Sequence, residues 1–317
     1  MKSQTQRKPT SAKFSLLRQL CNLIPNHLVP QLARAHAVEE RSRTFRPWSH
    51  VVSLIYAQLT HSLGLNDVCD ALRLHSGPLS AIRGATPPSK NALSHANRER
   101  NPKMAEALFW TMLEHLQQLH PGFGARRRPK LAFRFKRLIH IVDSTTIQLV
   151  ANSLDWAKHR RRKAAAKCHV RLNLQTFLPR FALVDTAGEH DNRRAHELCA
   201  DVQAGEIVIF DKAYRCRWSI EVFFKELKQT LQLADFLGHN ANAVRWQVWT
   251  ALLVYLLLRF CAFLSQWSHS FTRLFTLIRS ALWQHLDLRQ LLDRYGTAGG
   301  GGRFLGTPQQ AYLPGLT

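Results

Sequence analysis

Two carboxylates stand at the ends of short apolar runs, Asp143 in LIHIVDSTT and Asp211 in EIVIFD. A β-branched run that closes on Asp reads as a strand delivering an acid to a loop, although Asp also opens turns for purely local reasons. Two such ends in one chain suit a particular chemistry. Transfer at a phosphodiester uses a pair of divalent cations about 4 Å apart, which clamp the attacking and leaving oxygens. Carboxylates from adjacent strand ends can hold them, and Mg²⁺ prefers such oxygen ligands. A third acid is available from the next helix, Glu221 in YRCRWSIEVFFKELKQ. At about 100° per residue Arg217, Glu221 and Lys228 share one side, while Ile220, Phe223, Phe224, Leu227 and Leu231 form a separate apolar stripe. The plain alternative is a solvated face with a Glu221–Lys225 pair worth a few tenths of a kcal/mol.

Composition supports an anionic partner. The 317 residues carry 44 Lys and Arg against 21 Asp and Glu, a formal charge of +23, with 45% apolar residues. That apolar fraction excludes a disordered polycation and is enough for roughly two folded domains. Between His115 and Val184 stand fifteen Lys/Arg and only Asp143 and Asp155, so 13 of the 23 excess charges fall in one stretch. Six scattered cysteines form no CxxC pair, and the opening MKSQTQRKPTSAK has no apolar signal; a reduced, cytoplasmic, DNA-associated protein is expected. The most apolar run, Val248 to Leu264, is interrupted by Arg259, and its charge-free part is too short to cross a bilayer, so it reads as a buried helix.

The elements that must position the acids are set by patterning. A basic leader (1–13) precedes a helical region (14–120) broken at its prolines and glycines. Its clearest helix begins at Asn101-Pro102, and a preceding one, Ser89 to Asn97, carries Lys90, Asn91, Ser94, His95 and Asn97. These side chains suit phosphates and base edges, but a plain polar face is the favoured reading. Residues 121–130 (PGFGARRRPK) read as a linker. Strands are predicted over Leu138–Ile147, Cys168–Thr176, Arg180–Thr186 and Glu206–Asp211, with helices over Arg193–Val202 and Arg215–Leu233. The order is β, β, β, α, β, α within a region spanning 131–235. C-terminal helices (236–290) and a loose tail (291–317) complete the chain.

Tyr214-x2-Arg217-x3-Glu221-x6-Lys228 resembles the Tyr-Arg-Glu-Lys signature of the insertion-sequence DDE transposases, and HIVDSTT and VIFDKAY resemble that family's two Asp motifs. The resemblance runs from about Leu16 to Phe260. It implies an α/β fold with a ribonuclease-H-like mixed sheet, an N-terminal helical domain and C-terminal helices. It also implies a site of Asp143, Asp211 and Glu221 that binds Mg²⁺, or Mn²⁺ in its place. Tyr214, Arg217 and Lys228 would then contact DNA near the cleaved end. The partners implied are double-stranded DNA, as element terminal repeats and as target, and a second copy of the chain in a synaptic dimer.

One departure stands out. Only nine residues separate Asp211 from Glu221, where relatives place a long, mostly β insertion and a further strand. Tyr214 serves both DKAY and YRCRW, as an internal deletion that joined the two motifs would produce. Metal sites lose activity steeply with errors of about 1 Å, so two readings stay open: a transposase that cuts and joins DNA, and a non-catalytic DNA-binding remnant. Among the basic segments, KHRRRK (Lys158–Lys163, including Arg160, Arg161, Arg162 and Lys163), with Lys167, His169 and Arg171 beyond it, reads as a phosphate-binding loop. His190, Asp191 and His196 match no zinc spacing, and Trp246 and Trp249 read as core.

Overall fold

The computed structural model describes residues 11–38, 45–124, 137–149, 158–160, 163–186, 191–210, 214–231 and 237–294. Seven helices come first: α1 (Leu16–Cys21), α2 (Leu28–Ala35), α3 (Pro47–Thr60), α4 (Leu65–Leu74), α5 (Ser76–Ser80), α6 (Lys90–Glu99) and α7 (Lys103–Leu119). Polar caps set several of their starts. Ser15 Oγ accepts from Arg18 N and Ser89 Oγ accepts from Ala92 N, satisfying donors that the first helical turn leaves open. Asn101 acts as the sequence predicts but one residue further out, its Oδ1 accepting from Lys103 N at 3.0 Å while Pro102 occupies the cap position.

A five-stranded sheet comes next, β1 (Ile139–Leu149), β2 (Lys158–Arg160), β3 (Lys163–Asn173), β4 (Pro179–Thr186) and β5 (Ile207–Phe210). The long strands β1 and β3 pair antiparallel from His140–Asn173 to Leu149–Ala164, and β4 pairs antiparallel with the other edge of β3. After β4 the chain crosses through α8 (Asp191–Cys199) and returns as β5, which lies parallel to β1. A parallel return needs such a crossover, and the helix covers one sheet face. That face is pinned by charge. Arg171 of β3 is buried, and it donates to the Leu198 carbonyl at the end of α8 at 2.8 Å and to Asp201. His140 of β1 meets Glu206, just before β5, at 3.1 Å. Mixed α/β architecture with a mixed sheet is as expected and is compatible with a ribonuclease-H-like core.

Two expectations need correction. KHRRRK is not a loop: Lys158 to Arg160 form β2 and Lys163 opens β3, with Lys158 opposite Ala164 and Arg160 opposite Lys163 in a hairpin. Arg161 and Arg162 lie outside the described residues. The β-branched content that marks other strands is absent here, so the hairpin left no sequence signal. His169 and Arg171 are buried in the sheet, 1% and 2% exposed, and so do not belong to a phosphate-gripping surface.

The helix α9 (Tyr214–Lys225) runs on as a π-helical turn, Glu226–Thr230, before α10 (Ala241–Leu264), α11 (Phe271–Ser280) and α12 (Leu288–Arg294). By length and composition α10 could cross a membrane, but it is almost wholly buried among α3, α6, α7 and the π turn. Trp246 (1% exposed) and Trp249 (3%) are core residues, as their sequence context indicates. One contiguous core therefore includes the N-terminal helices, one face of the sheet and the C-terminal helices.

His50 of α3 is fully buried, its Nε2 against Asn97 Oδ1 at 2.8 Å and its ring tilted over Trp246. Burial, reinforced by Arg100 and opposed by the Asn97 hydrogen bond, lowers its pKa to about 3. An unfolded chain takes up this proton near pH 6.5, so the folded state is disfavoured progressively below that pH, down to about pH 3. By pH 5 the loss is about 2 kcal/mol. Melting the wild type and His50→Leu between pH 7 and pH 5 checks this: the variant, less stable at pH 7, should show the smaller acid-induced fall.

Candidate functional site

Asp143 lies inside β1 rather than at its end. The strand continues six residues further, to Leu149, because β3 supplies antiparallel partners throughout. What ends there is the parallel pairing. The β1–β5 ladder runs from Ile139–Ile207 to Val142–Phe210, and these last two residues immediately precede Asp143 and Asp211 in the chain. The carboxyl ends of parallel strands are where ligands bind in open α/β sheets. Asp143 is half-buried, and its Oδ1 accepts from Ser144 N at 2.7 Å. Alternation puts it on the face of Ile141, Thr145 and Ile147, opposite the face that Arg171 pins to α8. Asp211 lies outside the described residues.

The helix α9 begins four positions after Phe210. Its apolar stripe is the one predicted: Ile220, Phe223, Phe224, Leu227 and Leu231 are all buried. Packing of that stripe leaves Glu221 and Lys225 exposed. Tyr214 and Arg217 stand in the first turns of α9, and their side chains lie outside the described residues. Lys228 lies beyond the regular α-helical part. It falls in the π turn, is half-buried, and its Nζ donates to the Thr146 carbonyl of β1 at 2.6 Å. Burial lowers its pKa, with the nearby Cys168 thiol acting the other way. Lys228 is thus seated on the strand that carries Asp143, three residues further along.

Among the described residues no three acids, histidines or cysteines gather as a metal site. The donor chemistry still fits a hard divalent cation, since Asp143 and Glu221 offer carboxylate oxygens. On α6, Lys90, Asn91, Ser94 and His95 are exposed, whereas Asn97 points inward to His50 and is not available to DNA.

Sequence reading missed a buried cluster of Glu226, Tyr255 and Arg259. Arg259, 7% exposed, donates to Glu226 Oε2 at 2.6 Å and to the Tyr255 hydroxyl at 2.9 Å. The signal was present, because an Arg within an apolar core helix requires an acid partner.

A sheet whose parallel ladder stops just before two aspartates, followed by a helix with an acid and a basic anchor, is compatible with the ribonuclease-H-like core of a DDE transposase. Comparison with known proteins agrees. Residues 134–215 and 212–257 match the family described as Transposase DDE domain, in two stretches that share 212–215. Residues 13–82 match a domain of unknown function, DUF4372. A Sinorhizobium fredii protein classed as a transposase, y4zB, is 39% identical over 75 residues, 24% of this chain and 21% of its own. A Geobacillus stearothermophilus protein classed as the transposase for insertion sequence element IS5377 is 30% identical over 88 residues, 28% of this chain and 22% of its own. The chain thus aligns with about a fifth of each curated relative. No solved structure matches. These matches support an insertion-sequence DDE transposase family for the chain.

Proposed function

We propose that this protein binds the ends of an insertion element and cuts and joins DNA there by Mg²⁺-dependent phosphodiester transfer, with Asp143, Asp211 and Glu221 as the metal ligands. The observation that carries this reading is the parallel β1–β5 ladder, whose last pair directly precedes the two aspartates. When bound, the metal pair activates the attacking hydroxyl and stabilises the leaving oxygen. Within this reading the residues of the chain orient those ions and the DNA. Tyr214, Arg217 and Lys228 contact the strand near the cleaved phosphate, and the basic segment Arg160, Arg161, Arg162 and Lys163 tracks the phosphate backbone. A second copy of the chain pairs the two ends.

A second reading, a DNA-binding remnant without cleavage, is favoured by the short connection. Only nine residues link Asp211 to Glu221, Glu221 is exposed, and among the described residues no strand pairs with β5 beyond β1. Phe210 at the end of β5 is 47% exposed, as an apolar strand is when a neighbour is missing. The deciding experiment incubates the full chain with linear DNA carrying its element ends and Mg²⁺ or Mn²⁺. Strand cleavage at the ends supports the transferase; retention of the DNA in a gel with no cleavage supports the remnant. Cleavage that ignores the end sequence would overturn both.

A further inference from the structure

Arg259 is an expensive residue to keep where it is. It interrupts the apolar run of α10, is nearly enclosed, and lies about 5 Å from the rings of Phe177, Tyr255 and Phe271, at 5.3, 5.0 and 5.3 Å. Its guanidinium is satisfied at two points. Nη2 donates to Glu226 and Nε to the Tyr255 hydroxyl, which in turn donates to the Phe177 carbonyl at 3.2 Å. Phe177 stands in the turn between β3 and β4 with φ 59°, a left-handed conformation uncommon outside glycine. The cluster therefore ties the sheet's turn to the C-terminal end of the signature helix by way of α10.

Burying an ion pair contributes little stability compared with an apolar pair of the same volume. Its yield must lie in geometry. Glu226 is the first residue of the π turn, which closes with Leu231 N donating to the Glu226 carbonyl at 3.0 Å. A π turn widens the helix by one residue and rotates the side chains after it, a feature found mostly at functional sites. Here the residue so re-aimed is Lys228, two positions on, whose amine reaches β1.

We propose that Glu226 and Arg259 are positioning residues: their buried pair fixes the π turn that seats Lys228 on β1, three residues beyond Asp143. This rests on the proposed role of the signature helix in DNA transfer, yet it can be tested without cleavage. The full chain is trace-labelled with acetic anhydride, and mass spectrometry compares acetylation of Lys228 with that of the exposed Lys225 one turn earlier. In the wild type Lys228 labels more slowly, being half-buried and hydrogen-bonded. In Glu226→Gln, and in the double variant Glu226→Met with Arg259→Met, which buries no lone charge, the Lys228 rate should rise to that of Lys225 while circular dichroism stays native. The double variant decides if the single one does not fold. Continued protection of Lys228 in the folded double variant overturns the proposal. A wild type that fails to cut DNA, together with variants that show this change in labelling, would refute the transfer reading and keep the positioning one.

Discussion

Asp143→Asn should abolish metal-dependent cleavage of end-bearing DNA and leave DNA retention nearly unchanged. The substitution keeps the side-chain shape and its acceptance of the Ser144 N–H, while removing the negative charge that a divalent ion requires. Metal stabilisation of transition-state charge contributes several kcal/mol, so the cleavage rate falls on the order of a thousandfold or more. In the proposed function binding rests instead on Lys and Arg contacts to phosphate, so it should weaken steeply with added salt in both proteins. Single-turnover cleavage and gel retention, measured on the same preparations, separate the two effects. An Asp143→Asn protein that cuts at the wild-type rate would remove Asp143 from the site.

Arg171→Ala should destabilise the fold by about 3 kcal/mol, far more than removal of its partner's charge. The arginine is 2% exposed and holds the last turn of α8 through the Leu198 carbonyl. Truncation leaves a cavity beneath α8 and that carbonyl without its charged donor. Asp201, by contrast, is 64% exposed, and an ion pair with a solvated acid contributes at most about 1 kcal/mol. Asp201→Asn should therefore cost less than about 1 kcal/mol. Urea unfolding of the three proteins reads both values. Equal losses would mean that the pair, rather than the buried stem and carbonyl bond, fixes the crossover. Because α8 leads into β5, the same substitution should also disturb the edge of β1 next to Asp143.

Much of this arrangement is legible from residue pattern. The stripe of Ile220, Phe223, Phe224, Leu227 and Leu231 has helical periodicity and is buried as that periodicity requires. The runs that form β1, β4 and β5 are β-branched or alternating, and their predicted limits lie within a few residues of those observed. The acidic motifs, the nine-residue connection and the basic excess are statements about composition and spacing, which need no coordinates.

Other features depend on partners distant in the chain, and local pattern carries no record of them. Asp143 closes the apolar run and so reads as an acid delivered to a loop, yet β3 continues to hydrogen-bond β1 to Leu149. KHRRRK reads as a loop because long cationic side chains carry little strand preference, but pairing with β3 imposes extended backbone on Lys158 to Arg160. Arg171 reads as a phosphate ligand and is instead buried under α8, and Lys228 reads as a DNA contact and donates to the Thr146 carbonyl of β1. Side-chain type and spacing set which groups could do chemistry and which face of each element is apolar. Long-range hydrogen bonding and the pairing of buried charges, whose energies depend on three-dimensional neighbours, set where the strands end and which cations stay accessible to a polyanion.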